Sequence, residues 1–209
     1  MKIAVYGAGG RIGQRIVAEA LRRGHQVTAV SRTRPAALAD GAIWRQGDAL
    51  DAADVVAVAS QQDVIVSAIG PSGDQAPDML ARAARALTEG ITQAWRARLV
   101  VVGGAGSLEV APGERLMDTP DFPAAWRSGA TAHAEALDVY RASDANWTYL
   151  SPADKITPGE RSGAYRLGGD QMVVDAQGQS HISMEDYAVA LLDEIESPRH
   201  IRQRFTVGY

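Results

Sequence analysis

The feature that most constrains this chain is a glycine-rich turn, GAGGRIG, between an apolar segment and an amphipathic one. Lys2 to Tyr6 is apolar enough for a buried strand, and the apolar residues between Arg11 and Arg23 recur at helical spacing. Gly24 ends that helix, and Gln26 to Ser31 predicts a second strand. A strand, a glycine turn, a helix and a strand in this order place a dinucleotide pyrophosphate on a helix N-terminus.

This turn predicts the first set of cofactor-binding residues. They are Gly7, Gly9, Gly10, Arg11, Ile12 and Gly13. The alternative is a strand-to-helix turn with a purely structural role. A phosphate loop of the Walker type is excluded, because no Gly-Lys-Ser/Thr follows the glycines.

The rest of the chain alternates between short apolar runs and helical patterns. Further strands are predicted at 42–45, 63–69, 98–102, 147–150 and 204–207, with helices at 51–60, 76–94, 131–141 and 184–195. The second of these strands is followed by a break at Gly70-Pro71-Ser72-Gly73. Strands that are apolar throughout indicate a parallel sheet covered on both faces. The sequence therefore predicts an α/β fold, a single Rossmann-like doubly wound domain over residues 1–209 with a mostly parallel sheet.

A small C-terminal region is expected to form the substrate side. Residues 107–183 hold most of the chain outside the predicted sheet, with a long loop over 107–129 and a hairpin over 165–183 that turns at 176–179. Ligands of such folds bind beyond the carboxyl ends of the strands. We therefore expect residues 107–183 to contribute most of the substrate side.

Composition excludes several classes of protein. The 209 residues carry a formal net charge of −4, so there is no strong basic field for nucleic acid. There is no cysteine for a disulfide or thiolate site, and the four histidines lack the spacing of metal ligands. No apolar run approaches the roughly 20 residues of a membrane span. We expect a cytoplasmic protein with no metal, no nucleic-acid partner and no membrane association, either a monomer or a homodimer joined at an uncovered edge strand.

The end of the second predicted strand indicates which nucleotide is bound. Sites that prefer NAD usually place an acidic residue there to hold the ribose 2′-hydroxyl. This chain has Ser31-Arg32-Thr33-Arg34 instead. Arg32 and Arg34 could clamp a 2′-phosphate, which predicts NADP(H) in preference to NAD(H). The alternative is a pair of solvated surface arginines.

Small residues at the ends of the later strands extend the predicted cofactor site. Asp48 could accept a hydrogen bond from the adenine amine, or it could cap a helix. Glycine and alanine allow the backbone to approach the ribose and the nicotinamide closely, and a proline could shape the wall beside the ring. The residues of this second set are Asp48, Ala49, Ala68, Ile69, Gly70, Gly103, Gly104 and Pro152.

The spacing Gly7-x-x-Gly10-x-x-Gly13 resembles the extended and atypical short-chain dehydrogenases/reductases. Their usual tyrosine followed four positions later by lysine is missing. Four tyrosines, at 140, 149, 165 and 187, are followed at that distance by Asp144, Ala153, Gly169 and Leu191. More narrowly, the chain resembles NAD(P)-binding NADH-flavin reductases and biliverdin/flavin reductases. The matching segments, which include KIAVYGAGGRIG, RLVVVGGAGSLEV, the DTPDFP loop and WTYLSPA, span nearly the whole chain.

The resemblance implies an NAD(P)H-dependent reductase of a planar acceptor such as a flavin or a quinone. Hydride transfer to a flavin needs positioning more than a strong side-chain acid. Ser107, beyond the fifth strand, and His133, in the next helix, are the predicted catalytic residues, with His133 as a proton donor. The alternative for His133 is a surface or capping role, and Phe122 and Trp126 either stack on the acceptor or pin their loop.

A second class of function is also compatible with this sequence. The same fold could bind NADP(H) without catalysis and report redox state to a protein partner. An epimerase or dehydratase is disfavoured by the missing tyrosine and by a C-terminal region that is small for a sugar nucleotide.

Overall fold

The computed structural model describes residues 1–70 and 76–209, so the predicted break at Pro71-Ser72-Gly73 lies outside the described residues. An eight-stranded sheet forms the centre of the molecule. Its strands are β1 (Lys2–Tyr6), β2 (Gln26–Ser31), β3 (Ile43–Gln46), β4 (Val64–Ser67), β5 (Arg98–Val102), β8 (Trp147–Ser151), β10 (Arg166–Gly168) and β12 (Gln203–Gly208). Their order is β10-β12-β8-β5-β4-β1-β2-β3, and among these described strands only β10 runs antiparallel to its neighbour.

In the part of the chain that the structure describes, five α-helices cover the two faces of this sheet. They are α1 (Arg11–Arg22), α2 (Ala52–Ala59), α3 (Met79–Ala94), α4 (Ala124–Arg141) and α5 (Met184–Glu196). One apolar core lies between the sheet and α2, α3 and α4, and the other lies between the sheet and α1 and α5. The strands β1, β4, β5 and β8 are buried almost throughout, as a sheet covered on both faces requires. The predicted Rossmann-like doubly wound fold is confirmed.

The strand order reverses at β1, which pairs with β2 on one side and with β4 on the other. In open α/β sheets, ligands bind at this switch point, outside the carboxyl ends of the strands. The loops after β1, β2, β3, β4 and β5 all open at this edge. The topology therefore brings together segments that are far apart in the sequence.

Two parts of the chain differ from the sequence-based predictions. The loop predicted over 107–129 contains a small hairpin, β6 (Glu109–Ala111) and β7 (Glu114–Arg115), a 3₁₀ turn at Leu116–Asp118, and the first six residues of α4. The prediction missed this start of α4, because Pro123 is an N-cap and the first turn is exposed and lacks an apolar stripe.

The predicted hairpin over 165–183 is wrong. Its first half, β10, pairs with β12, and its second half, β11 (His181–Ser183), pairs in parallel with β9 (Lys155–Thr157). A turn does form near 176–179, where the Asp175 amide donates to the carbonyl of Gln179. The two flanking segments nevertheless find partners distant in sequence, a choice that local turn chemistry does not determine.

Within the described ranges, no helix combines the length and the apolar character that crossing a membrane requires.

Candidate cofactor and acceptor site

The glycine turn after β1 is fixed by close backbone contacts. Gly7 has φ +77°, a conformation that favours glycine, and a Cβ added to it would lie 2.5 Å from the carbonyl oxygen of Ala68. A Cβ added to Gly13 would lie 2.1 Å from the carbonyl oxygen of Gly7. Gly7 therefore makes the turn, and Gly13 lets α1 approach the strand.

Gly10 is the N-cap residue of α1 and has a different role. Its φ of −75° is ordinary, and a Cβ added to it would meet only the carbonyl oxygen of Gly7, at 3.3 Å. No described side chain caps α1, and the first turn carries Arg11 and no acid. The N-terminus of α1 thus offers backbone N–H groups and a cation to an anion such as a pyrophosphate. Gly9 is exposed beside this turn, and its carbonyl accepts from the side chain of Gln14 at 2.9 Å.

A cleft of about 720 Å³ opens along the carboxyl edge of the sheet. It runs from the ends of β3 and β2, across the glycine turn and β4, to the end of β5 and to α4. Twelve of the predicted site residues line it: Gly7, Gly10, Arg11, Ile12, Arg32, Asp48, Ala49, Ala68, Ile69, Gly70, Gly103 and His133. The described lining does not include the other six, which are Gly9, Gly13, Arg34, Gly104, Ser107 and Pro152.

At the β3 end of the cleft, one carboxylate organises the loop that carries Asp48. Asp54 accepts from the backbone amide of Asp48 at 2.9 Å and from the hydroxyl of Tyr6 at 3.2 Å. A Cβ on Gly47 would lie 2.5 Å from the same carboxylate, so any side chain there would have to displace Asp54. Asp48 itself accepts from the amide of Leu50 in a local turn, and α2 is capped by Asp51 instead. Burial, together with the nearby Asp54, raises the pKa of Tyr6, which keeps its hydroxyl protonated.

At the end of β2, Arg32 is exposed and lines the cleft. None of the described carboxylates forms a salt bridge with Arg32 or with Arg34. Arg34 is exposed as well, but it lies outside the described lining. Of the two arginines in the predicted clamp, Arg32 alone belongs to the described lining.

The other end of the cleft is built on Gly103, Gly104, Tyr149 and His133. A Cβ on Gly103 would lie 2.1 Å from the Tyr149 ring, and a Cβ on Gly104 would lie 2.8 Å from Cγ of His133. These glycines make room for a tyrosine beneath the cleft and a histidine at its wall. The Tyr149 hydroxyl accepts from the amide of Gly104 at 3.2 Å.

The environment of His133 bears on its predicted role as a proton donor. Burial lowers its pKa to about 4. The imidazole is therefore neutral at physiological pH, because its pKa lies well below 7. Burial also raises the pKa of Tyr149, which stays protonated.

Ser107 does not belong to the described lining and is hydrogen-bonded to Arg204. The guanidinium of Arg204 donates to the Ser107 hydroxyl at 3.0 Å and to the Ser107 carbonyl at 3.1 Å, and it is paired with Asp170. In this arrangement the Ser107 hydroxyl acts as an acceptor within a structural contact. Phe122 is buried, and Trp126 is 57% exposed; neither belongs to the described lining. Pro152 is buried directly after β8.

Several lining residues were not identified from the sequence. Val102, Ile156 and Met184 line the cleft together with Gly103 and His133. The parallel pairing of β9 with β11 brings Ile156 and Met184 there, since Met184 directly follows β11. The β3 side also includes Tyr6, Ser31, Thr33, Gly47 and Leu50. Proximity to a strand end could have identified Tyr6 and Val102, whereas Ile156 and Met184 depend on a pairing that the sequence does not encode locally.

Metal ligands are not assembled in this region. The described residues contain no cluster of three or more histidine, aspartate or glutamate side chains arranged to hold a metal ion.

The fold and the cleft define a dinucleotide-binding protein of the Rossmann type. Residues 7–198 match the NAD(P)H-binding family, and the chain belongs to that family. The predicted resemblance is thereby confirmed.

Relatives cover essentially the full chain. The Bacillus subtilis protein YwnB, named as uncharacterised, is 41% identical over 99% of this chain and 98% of its own. A solved structure from Burkholderia pseudomallei, named a "putative exported protein", is 48% identical, has a TM-score of 0.91 and matches 100% of both chains. The cytoplasmic location of this chain thus remains a prediction.

Two further solved structures carry functional names. A "putative epimerase" from Bacteroides thetaiotaomicron is 39% identical, with a TM-score of 0.89 over 100% of this chain and 96% of its own. A "putative NADH-flavin reductase" from Streptococcus pneumoniae is 36% identical, with a TM-score of 0.84 over 100% of this chain and 99% of its own.

Proposed function

We propose that this protein is an NADPH-dependent reductase that transfers a hydride to a planar acceptor such as a flavin or a quinone. The observation that carries the proposal is the continuity of the cleft. It joins an arginine at the end of β2, the open N-terminus of α1 and an apolar end beside Gly103. A dinucleotide extended across a Rossmann sheet occupies these positions in this order.

The preference for NADPH rests on Arg32 and on the absence of an acid at the end of β2. The segment Ser31-Arg32-Thr33-Arg34 offers cations where NAD-preferring sites usually place a carboxylate. Arg32 lines the cleft, so a 2′-phosphate bound there would meet a guanidinium without a described competing carboxylate. Asp48, with its backbone amide held by Asp54, would face the adenine.

A planar acceptor suits the end of the cleft that Gly103 and His133 line, which we call the acceptor end. Val102, Ile156 and Met184 present apolar surface there, and Gly103 allows close approach. An acceptor ring stacked against the nicotinamide needs alignment more than a strong acid. The name of the Streptococcus relative agrees with this acceptor class. A proton for the reduced acceptor would come from water, because a neutral His133 is a poor acid.

The alternative is a protein that binds NADP(H) and reports redox state without catalysis. The missing tyrosine and lysine, together with a Ser107 hydroxyl engaged by Arg204, are compatible with it. An epimerase, as one of the relatives is named, is a third possible function, and the missing tyrosine and lysine argue against it. We propose no nucleic-acid or membrane partner. The edge of β3, which pairs only with β2 in the described part of the sheet, would be the interface of a homodimer.

The test combines binding with turnover. NADPH and NADH are titrated into the purified protein, and NADPH oxidation is then followed with riboflavin, FMN and quinones as acceptors. Tighter binding of NADPH together with oxidation that depends on the acceptor supports the reductase. Tight binding with no oxidation by any acceptor favours the sensor, and no binding of either nucleotide overturns both.

A further inference from the structure

The Tyr149 hydroxyl has three polar neighbours beneath the acceptor end of the cleft. It lies 3.2 Å from the amide nitrogen of Gly104, 3.2 Å from the carbonyl oxygen of His133 and 3.4 Å from Nδ1 of His133. The side chain is fully buried, so water does not compete for these positions.

The number of hydrogens in this cluster determines which group donates to which. A phenolic hydroxyl has one hydrogen and two acceptor sites. The His133 carbonyl can only accept, so in the contact of 3.2 Å between the two oxygens the Tyr149 hydroxyl is the donor. The Gly104 amide fills one acceptor site of the hydroxyl.

The remaining acceptor site of the Tyr149 hydroxyl faces Nδ1 of His133. An unprotonated Nδ1 would place two lone pairs against each other across these 3.4 Å, so the tautomer that satisfies both groups is the one with the hydrogen on Nδ1. A neutral imidazole has only one N–H, which leaves Nε2 as an acceptor. Burial keeps this ring neutral at physiological pH.

The opposite edge of the His133 ring packs against Gly104. A Cβ on Gly104 would lie 2.8 Å from Cγ and 3.0 Å from Cδ2 of His133, so that edge of the ring packs against the chain after β5. Nδ1 faces Tyr149, and His133 lines the cleft. The edge of the ring that carries Nε2 is therefore the one that faces the cleft. Nε2 forms no hydrogen bond with any side chain or backbone group of residues 1–70 and 76–209.

We propose that Nε2 of His133 is a hydrogen-bond acceptor that selects hydride acceptors carrying an N–H donor, such as the N3–H of a flavin, and that Tyr149 is the positioning residue that fixes this tautomer. The inference rests on the proposed function and names the chemistry of its substrate. Val102, Ile156 and Met184 surround the same end of the cleft with apolar groups. A ligand lacking the donor would leave Nε2 desolvated and unpaired, which is costly in such surroundings.

The tautomer is tested by NMR of protein labelled with ¹⁵N-histidine, in two-bond nitrogen–proton correlation spectra. The wild-type protein is expected to show His133 protonated at Nδ1, with the signal assigned by its loss in His133→Phe. In Tyr149→Phe, which keeps the ring and removes the hydroxyl, the population is expected to shift toward the Nε2–H form. A wild-type His133 protonated at Nε2, or a tautomer that Tyr149→Phe leaves unchanged, overturns the assignment.

The selectivity is tested by binding, without turnover. Lumiflavin and its N3-methyl derivative are titrated into the protein saturated with NADP⁺, and flavin fluorescence gives each Kd. One neutral hydrogen bond predicts about tenfold tighter binding of lumiflavin. His133→Phe is expected to bring the two Kd values within about twofold. Equal Kd values in the wild type overturn the selectivity.

The outcomes of these two measurements can be distinguished from a failure of the proposed function. If NADPH is not oxidised with any acceptor, the reductase proposal fails while the tautomer and the Kd ratio are still measured. If turnover occurs but the N3-methyl flavin binds equally well, the reductase stands and the role of His133 is overturned.

Discussion

The indole nitrogen of Trp44 donates a hydrogen bond to the hydroxyl oxygen of Ser31 across 3.1 Å. That hydroxyl in turn donates to the carbonyl oxygen of Thr33 at 2.7 Å. Ser31 and Thr33 both line the cleft, with Arg32 between them. A residue of β3 therefore fixes the loop after β2, where the ribose of a bound nucleotide would lie.

Replacement of Trp44 by phenylalanine is expected to weaken NADPH binding. The change removes one hydrogen bond and leaves the loop less ordered, which predicts a Kd about threefold to tenfold higher by titration. The matched control is Trp95→Phe, since Trp95 is 81% exposed at the end of α3. Identical Kd values for Trp44→Phe and the wild type would show that the loop needs no support from β3.

Arg32 and Arg34 are expected to differ in their effect on cofactor choice. Arg32→Ala removes a charged partner of the 2′-phosphate and should raise the Kd for NADPH by about 10- to 100-fold, with little change for NADH. Arg34→Ala, outside the described lining, should change the ratio of the two Kd values by less than about threefold. The account of NADPH preference is wrong if Arg32→Ala leaves that ratio unchanged.

Substitutions of Gly10 and Gly13 are expected to have different effects, the first on NADPH binding and the second on stability. Gly10→Leu is expected to abolish NADPH binding by filling the pyrophosphate position, with the Tm almost unchanged, because its backbone is ordinary and exposed. Gly13→Ala drives a methyl group toward the carbonyl oxygen of Gly7 and should cost about 2 kcal/mol or more. That loss lowers the Tm by at least about 4 °C. Calorimetry measures the Tm of both variants, and titration measures their NADPH binding. A Gly10→Leu protein that still binds NADPH would contradict the placement of the pyrophosphate beside Gly10.

The sequence was sufficient for the parallel sheet, because its strands are continuous apolar runs between amphipathic helices. Local pattern also located the glycine turn, where Gly7 and Gly13 have no substitute. It was insufficient for residues 165–183, whose two short strands pair with β12 and β9 rather than with each other. Such pairings depend on which sheet edge is open, a property of the assembled fold.

In the site, too, some residues could be predicted from the sequence and others could not. The residues at the ends of β1 to β5 were predictable, since these strands are parallel and their carboxyl ends lie at one edge of the sheet. The surroundings of Ser107 and Tyr149 were not predictable, because they depend on side-chain contacts across the sheet: Arg204 donates to Ser107, and the room beside Gly103 admits Tyr149. Sequence spacing places Ser107 beyond a strand end but does not determine the direction of its side chain.

His133 should make the protein less stable in mild acid. Burial lowers its pKa to about 4, while in the unfolded chain it is near 6.5. Between these values the unfolded state binds the proton more tightly, so the free energy of unfolding falls as the pH drops. By pH 5 the loss from His133 is about 2 kcal/mol.

His133→Gln keeps a polar side chain and removes this titration. Urea unfolding of both proteins at pH 7, 6 and 5 measures the difference, and the variant is expected to lose about 2 kcal/mol less than the wild type over this range. Parallel losses in the two proteins would mean that His133 titrates normally in the folded state.

The proposed reaction is hydride transfer from bound NADPH to a planar acceptor. Its most direct test mixes the NADPH complex with a flavin in the absence of oxygen and follows bleaching of the flavin within a single turnover, using NADPH deuterated at either C4 position. Bleaching is expected to be slowed by deuterium at one C4 position only, and to be lost in Gly10→Leu. Tight NADPH binding with no reduction of any flavin or quinone would contradict it.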